Sequence, residues 1–530
     1  MRTVIFGVDG LTFRILHPLM ERGELPNFQR LQREGCEAIL ESKYPPLTPA
    51  AWTSLSTGLK PARHGVYDFW TYDEQQAPGS PRKAHVQTKR KGGKAIWNIL
   101  SEYGKQVLVI NVPMTYPPEA VNGIMVSGYM TPSDDTDFTY PSTFKEELYR
   151  VAPDYEIDLD FNKIFQGELD ERAGRRVIDA TLQMTEQRIK LITYLLNEKP
   201  WDFCYLGFVG PDRLQHPLWD QIMALEPHAT KYFHLLDSAL GLILQQLGSD
   251  DCLFVVSDHG FQGATCVFDI NEYLYSEGLL VVNDSFQQQQ MRRNRHANLK
   301  HVLSRMGVLS LAQGLKKRFA RSGVVKRNLS QQDKPVLDDN DIDWARTFAY
   351  VPSYSGFGGG YADIFLSDTL SDERLAELCE DLKRQVHPET GKPLVDALYT
   401  TEVFGTGPYA PAERHLLVLA NDGITFSMGL GNKQFWNSIG RTRGTHQKDG
   451  VLYAYGGGIK RGCKTSNAEI FDLVPTVLHS MGLPFSTTFD GRVLDELFVK
   501  DEQVEQIALA AANAANGGLA RRKLSKLLES

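Results

Sequence analysis

Long hydrophobic runs are missing from this sequence. No stretch of about 18 apolar residues occurs, so no segment is expected to cross a bilayer as a helix. Cysteine is scarce. Cys36, Cys204, Cys252, Cys266, Cys379 and Cys463 are scattered over 530 residues without a C-x-x-C spacing. They are expected as reduced core thiols rather than a disulfide framework. An excess of positive charge is missing too. The net charge of -8 argues against a general nucleic-acid binder, and no nucleic-acid polymer is expected as a partner. The opening MRTVIFGVDG reads as a poor secretory signal, because its apolar run is short and Asp9 interrupts it. A cytoplasmic location is the expectation. Internal repeats and low-complexity tracts are absent, and nothing in the sequence sets an oligomeric state.

What remains has the composition of a soluble globular chain, with 42% hydrophobic and 23% charged residues. The length exceeds that of one ordinary compact domain, so one large core carrying insertions is expected. Short continuous apolar runs lie at 3–8, 106–112, 202–209, 252–256 and 451–455. Runs of this kind suit strands of a sheet covered on both faces. Helical patterns at 176–197, 228–247 and 468–482 alternate with them. The alternation predicts an α/β fold with a doubly wound, mainly parallel sheet flanked by helices. The core is expected over 1–282 and 334–500, with 501–530 as a peripheral helix or tail. Residues 283–333 form the expected inserted cap. Its segment 285–332 holds eleven Lys or Arg and no Asp or Glu. A cap helix with a solvated face is one reading, and an electropositive cover over an anionic substrate is the sharper one. Docking on a membrane surface is the weakest. Residues 71–95 read as a polar loop.

In doubly wound folds, ligands bind beyond the carboxyl ends of the strands. Asp9 follows the first apolar run, and Gly210-Pro211-Asp212 with His216 follows the run ending at 209. Ser257-Asp258-His259-Gly260 follows 252–256, and His446 stands just before 451–455. Asp oxygens and His nitrogens are the usual non-thiol ligands of zinc and its neighbours. Alone, each is a turn residue as readily as a ligand. Asp212 and His216 have i, i+4 spacing, but Pro217 disfavours helix at His216 and predicts a loop there. Asp258-His259-Gly260 carries more, since Gly260 permits the turn that aims two adjacent side chains at one place. Thr48 precedes Pro49, which suits a first helical position, so Thr48 is expected as the N-cap of a helix. A hydroxyl at an electropositive helix start is either a plain cap or a nucleophile beside a phosphate site.

The order and spacing of FGVDG (6–10), LTPAAWTSLSTG (47–58), KPARHG (60–65), GPDRLQH (210–216), SDHGF (257–261) and GTHQKDG (444–450) resemble the alkaline phosphatase superfamily. The nearest branch is the type I phosphodiesterase/nucleotide pyrophosphatase group with its prokaryotic phosphohydrolase or phosphomutase relatives. The resemblance spans most of residues 1–495. It implies two divalent metal ions, with zinc expected and manganese or iron admissible. Asp212, His216 and His446 would hold one, and Asp9, Asp258, His259 and Thr48 the other. It implies hydrolysis of a small phosphorylated substrate, a diester or pyrophosphate in preference to a monoester, through a phospho-threonine at Thr48. A phosphomutase and a catalytically idle scaffold are the alternatives. Ala50 and Ala51 replace the asparagine that nucleotide pyrophosphatases carry near the threonine to hold a phosphate oxygen. Asn111 and Arg213 are the candidate substitutes, with His64 a further option. The Gly-rich 353–361 is a candidate substrate loop. The Thr48-Pro49-Ala50-Ala51 run departs from the sulfatase pattern.

Overall fold

The computed structural model describes residues 1–42, 45–72, 84–86, 89–159, 171–284, 286, 341–352, 359–411, 414–431, 434–484 and 488–499. The basic segment 285–332 except Phe286, nearly all of 283–333 and the tail 501–530 lie outside the described residues, as does most of 353–361. In chain order the first half contains β1 (Thr3–Val8), α1 (Phe13–Glu21), α2 (Pro26–Glu34), β2 (Cys36–Glu41), α3 (Thr48–Thr57) and α4 (Pro61–His64). Then come β3 (Trp70–Tyr72), β4 (Ala84–Val86), α5 (Ile96–Glu102), β5 (Val107–Val112), β6 (Gly123–Ser127), β7 (Thr139–Tyr140) and α6 (Phe144–Val151). Helix α7 (Glu171–Glu198), β8 (Phe203–Phe208), α8 (Gly210–Met223), α9 (Pro227–Gln246) and β9 (Cys252–Val256) follow. The second half holds β10 (Gly260–Asp269), α10 (Ile270–Ser276), β11 (Ala349–Tyr350), β12 (Tyr361–Leu366), α11 (Asp372–Arg384), β13 (Val395–Thr400) and β14 (Arg414–Ala420). It closes with β15 (Gly423–Ser427), β16 (Trp436–Gln447), β17 (Asp449–Gly456), β18 (Cys463–Glu469) and α12 (Leu473–Ser480). None of the described helices is long and apolar enough to cross a membrane.

Nine strands among the described residues form the central sheet, in the order β18-β2-β17-β9-β1-β8-β5-β6-β7. β1 runs parallel to β8 and β9 on either side, and β5 parallel to β8 and β6. β17, read as one more apolar strand, enters antiparallel between β2 and β9. The continuous apolar runs follow from burial on both faces. Along β1, Val4, Phe6 and Val8 join the core under α1, α2, α7 and α9, whereas Ile5 joins the opposite core under α3, α5 and α12. This is a mixed α/β fold with a large, mostly parallel sheet between helical layers.

Two features depart from the sequence reading. A four-stranded antiparallel sheet, β11-β12-β14-β13, packs against α10 and α11 around a core of its own, including Tyr273, Ile364, Leu378 and Val418. The sequence pattern of 334–500 predicts no such layer. Cys36 and Cys463 also form a disulfide, with Cα atoms 4.5 Å apart, which corrects the expectation of six reduced thiols. The parallel register of β2 and β18 sets the two residues opposite each other, a pairing that spacing along the chain does not reveal. Cys204, Cys252, Cys266 and Cys379 are free.

Candidate metal centre

The site lies where β8, β1 and β9 end side by side. Because Val8 pairs with Phe208 and Gly7 with Val256, the residues just beyond the three strands meet at one edge. Asp9 leaves β1 and Asp258 and His259 leave β9. The Asp212 N–H donates to the Asp9 carbonyl at 3.2 Å, so the start of α8 is tied to the end of β1. Gln215 Nε2 donates to the Gly10 carbonyl at 2.7 Å and fixes the same helix one turn on. Gly10 has φ 68°, a left-handed conformation, and an added Cβ would lie 2.5 Å from the Phe261 ring. Its N–H donates to Asp258 Oδ1 at 3.0 Å.

Two groups of side chains emerge. In the first, Asp212 Oδ1 lies 3.1 Å from His446 Nε2 and 3.3 Å from His216 Nε2, and the two imidazole nitrogens are 3.2 Å apart. In the second, His259 Nε2 lies 3.5 Å from Asp9 Oδ1 and 3.3 Å from Asp258 Oδ2. The His259 and His446 rings stack with centroids 3.7 Å apart, so the groups are adjacent. Asp212, His259 and His446 also lie close enough to act as a ligand set. His216 is not in a loop, as Pro217 had suggested. Helix α8 runs on through Pro217 and takes up the kink at Leu218, which leaves Asp212 and His216 on one helical face.

The donor atoms themselves test whether metal ions fit. Asp9 Oδ1, Asp258 Oδ2 and His259 Nε2 are all buried and have no hydrogen-bond partner, and these are the three atoms that converge. Buried polar atoms left without partners are costly and rare. A cation bound among them removes that cost. The electrostatics agree. Burial, then the neighbouring Asp258 and Asp212 carboxylates, push Asp9 well above the ordinary carboxylate range. Burial also raises Asp258, against the Gly10 N–H. For Asp212 burial is outweighed by His216, His446 and Arg213, which hold it well below that range. Burial depresses His259 and His446, so both are neutral imidazoles with lone pairs available.

Thr48 is buried and opens α3. The structure places it at the first helical position, with Leu47 as the N-cap, one residue earlier than expected. Pro49 follows within the first turn, and no side chain caps the helix. The N–H groups of that turn therefore point out of the helix end. Thr48 and Trp52 share a face at i, i+4, and Trp52 Nε1 donates to Asp9 Oδ2 at 3.3 Å. The Pro46 carbonyl meets His446 Nδ1 at 3.0 Å. Both contacts draw the start of α3 toward the two groups.

The candidate phosphate-contact residues are held by protein partners. Asn111 donates through Nδ2 to the Ile157 carbonyl at 2.9 Å and accepts at Oδ1 from Tyr155. Arg213 is held between Asp212 and Asp158. His64 is buried at the last position of α4. Its Nδ1 accepts from the Val66 N–H at 3.2 Å, and its Nε2 faces Ser54 Oγ at 3.0 Å. Burial, then the Arg90 charge, push its pKa down to about 3. His64 is therefore neutral when folded and protonates near its ordinary value when unfolded. Stability is full above about pH 6.5 and is lost as pH falls toward 3, by about 3 kcal/mol at pH 4 if this group alone is counted. Urea melts at pH 7 and pH 4 should show a larger loss for the parent protein than for His64→Gln. Equal losses would remove His64 from this role.

Several residues at the centre carried no signal of their own. Phe261 lies under three imidazoles, its centroid 4.9 Å from His216, 5.1 Å from His446 and 5.7 Å from His259. Its place in SDHGF is the only cue to it. Trp52 is visible only as the residue one turn after Thr48. Nothing near Asp158 in the sequence marks it, since its partner is 55 positions away.

The model of the family described as type I phosphodiesterase/nucleotide pyrophosphatase matches residues 3–334. Among curated proteins, none matches the chain. Solved structures resemble it at low identity. Phosphonoacetate hydrolase from Sinorhizobium meliloti 1021, in complex with phosphonoformate, aligns with TM-score 0.51 at 13% identity, over 91% of this chain and 95% of that one. An inactive variant of murine ectonucleotide pyrophosphatase/phosphodiesterase 5, in complex with AMP, aligns with TM-score 0.50 at 12% identity, over 94% of this chain and 100% of that one. At such identities the likeness establishes a shared fold.

Proposed function

Because this chain belongs to the type I phosphodiesterase/nucleotide pyrophosphatase family, a family of phosphoric ester hydrolases, we propose that it hydrolyses a small phosphodiester or pyrophosphate through a phospho-threonine at Thr48. The observation that carries this reading is the convergence of three orphaned buried donor atoms, on Asp9, Asp258 and His259, beside a second Asp/His group. Asp212, His216 and His446 would hold one divalent cation, and Asp9, Asp258, His259 and Thr48 the other. Two such cations would offset the buried carboxylates, lower the pKa of the threonine hydroxyl and stabilise charge on the phosphoryl oxygens. Zinc is the metal we favour for this Asp/His set.

The protein's own groups account for the remaining steps. The Thr48 oxygen forms a bond to phosphorus as the bond to the leaving group breaks, and water then cleaves the phospho-threonine. The outward-pointing N–H groups of the first turn of α3 suit the non-bridging phosphate oxygens. Trp52 and Gly10 orient Asp9 and Asp258 by hydrogen bonds. The preference for a diester rests on the family, and Arg213, whose guanidinium is engaged by two carboxylates, is not counted on to offset a second negative charge.

The test is hydrolysis by metal-stripped protein refilled separately with zinc, manganese or magnesium, on a chromogenic diester and a chromogenic monoester. Turnover that returns with metal, favours the diester and is absent from Asp258→Ala supports the reading. A monoester preference would reverse the substrate class. Isomerised substrate without free product would establish the mutase instead.

A further inference from the structure

Asp212 presents its two oxygens to different partners. Oδ1 faces His446 and His216. Oδ2 accepts from Arg213 Nη1 at 2.5 Å. The other edge of the same guanidinium is bidentate on Asp158, with Nη2 to Oδ2 at 2.7 Å and Nε to Oδ1 at 3.2 Å. The Tyr129 ring covers the guanidinium at 4.3 Å. Only 8% of the Arg213 side chain, 4% of Asp212 and 15% of Asp158 are exposed. Such a forked, desolvated pair has one geometry and resists rearrangement.

The turn that carries Asp158 is itself fixed. The Ile157 carbonyl accepts from Asn111 Nδ2 at 2.9 Å and from Arg188 Nη2 at 3.0 Å. Arg188 is fully buried and also donates to the Gly207 carbonyl at 3.2 Å, in the strand that leads to Asp212. Asn111 has φ 57°, a left-handed conformation that asparagine adopts more readily than most residues. The network thus returns to the strand end from which Asp212 projects.

We propose that Arg213 and Asp158 are positioning residues that hold Asp212 as a one-oxygen ligand of the first metal site, and that Asn111 and Arg188 fix the Asp158 turn. The inference rests on the two-metal reading above. It takes both residues that resembled phosphate contacts, Asn111 and Arg213, out of the substrate site. Partners that orient a ligand typically contribute tenfold to 100-fold in metal affinity. Arg213 bonds directly to Asp212 and acts on Asp9 through its charge, so the larger effect is expected at the site that holds Asp212.

Zinc titration of the metal-stripped, folded protein against a chromophoric chelator tests this, with Arg213→Ala, Arg213→Lys and Asp158→Asn beside the parent. Arg213→Ala and Asp158→Asn should weaken one of two zinc affinities about tenfold to 100-fold and leave the other within about threefold. Arg213→Lys keeps the charge without the fork and should fall between. At saturating zinc, KM for the diester should stay near the parent value. Unchanged zinc affinities with a raised KM would place the guanidinium on the substrate and overturn the proposal, as would an equal loss at both sites. Should Arg213→Ala fail to fold, Asp158→Asn and Arg213→Lys carry the same test. Two zinc ions bound by a parent protein that cleaves no ester would overturn the hydrolase reading and leave the clamp standing.

Discussion

Thr48→Ala should lower diester turnover at least about 10⁴-fold, the scale expected when a nucleophile is removed from a set of groups acting as a unit. Thr48 sits at the first position of α3, and its neighbours Pro46 and Trp52 are tied to His446 and Asp9. Those ties use a backbone carbonyl and an indole N–H, which the substitution leaves in place. Alanine is also a good helix former. Folding and the six Asp and His donors should therefore survive, with the melting temperature within a few degrees of the parent. Thr48→Ser restores a hydroxyl at the same place and should recover part of the activity. Steady-state kinetics with zinc titration on the same samples gives both readouts. Turnover of Thr48→Ala near the parent rate would remove Thr48 from the chemistry.

Gly360→Ala should have the next largest effect. A Cβ at this position would lie 1.8 Å from the carbonyl oxygen of His446, deep inside van der Waals contact. Neither side can yield easily. The Gly360 carbonyl accepts from the Ala420 N–H at 3.0 Å, which locks the start of β12 to β14. His446 is paired with Phe261 in the β10–β16 ladder. Relief must come from moving the β16 backbone, and His446 moves with it. We expect a loss of about 2–4 kcal/mol in folding stability. We also expect a weakening of at least about tenfold in the zinc affinity of the site that includes His446, because ligand placement sets affinity. Denaturant melts and chelator competition measure the two. A variant with parental stability and zinc binding would show that this seam has room the geometry does not give it.

The parts of the fold read from local pattern are those governed by local physics. Residues 3–8, 202–209 and 252–256 are apolar throughout because β1, β8 and β9 are covered on both faces. The positions after them were legible as a site because a parallel sheet presents its strand ends together. The errors share another origin. Pro217 is a sound reason to expect the helix to stop, but α8 accommodates it with one distorted residue, Leu218. Thr48 and Leu47 exchanged cap positions because Pro49 fits more than one place in a first turn. The Cys36–Cys463 disulfide and the Asp158–Arg213 pair join residues distant in sequence, so no spacing rule reports them. The positioning role proposed for Asn111 and Arg213 is likewise invisible in the sequence, where both simply carry donors suited to phosphate. Their partners, Ile157 and Asp158, occupy a turn whose position depends on α7 and β8 packing around it. The sheet built by β11 to β14 covers Leu47 through Tyr361, Leu417 and Leu419, and links the second layer to the residue before Thr48.

Anomalous diffraction from crystals of zinc-loaded protein, with metal content measured on the same preparation, tests the account most directly. Two zinc ions per chain are expected, one bounded by Asp212, His216 and His446 and the other by Asp9, Asp258 and His259. A protein that takes up neither zinc nor manganese, or takes them up away from these six residues, would contradict a phosphoester hydrolase built on a two-metal centre.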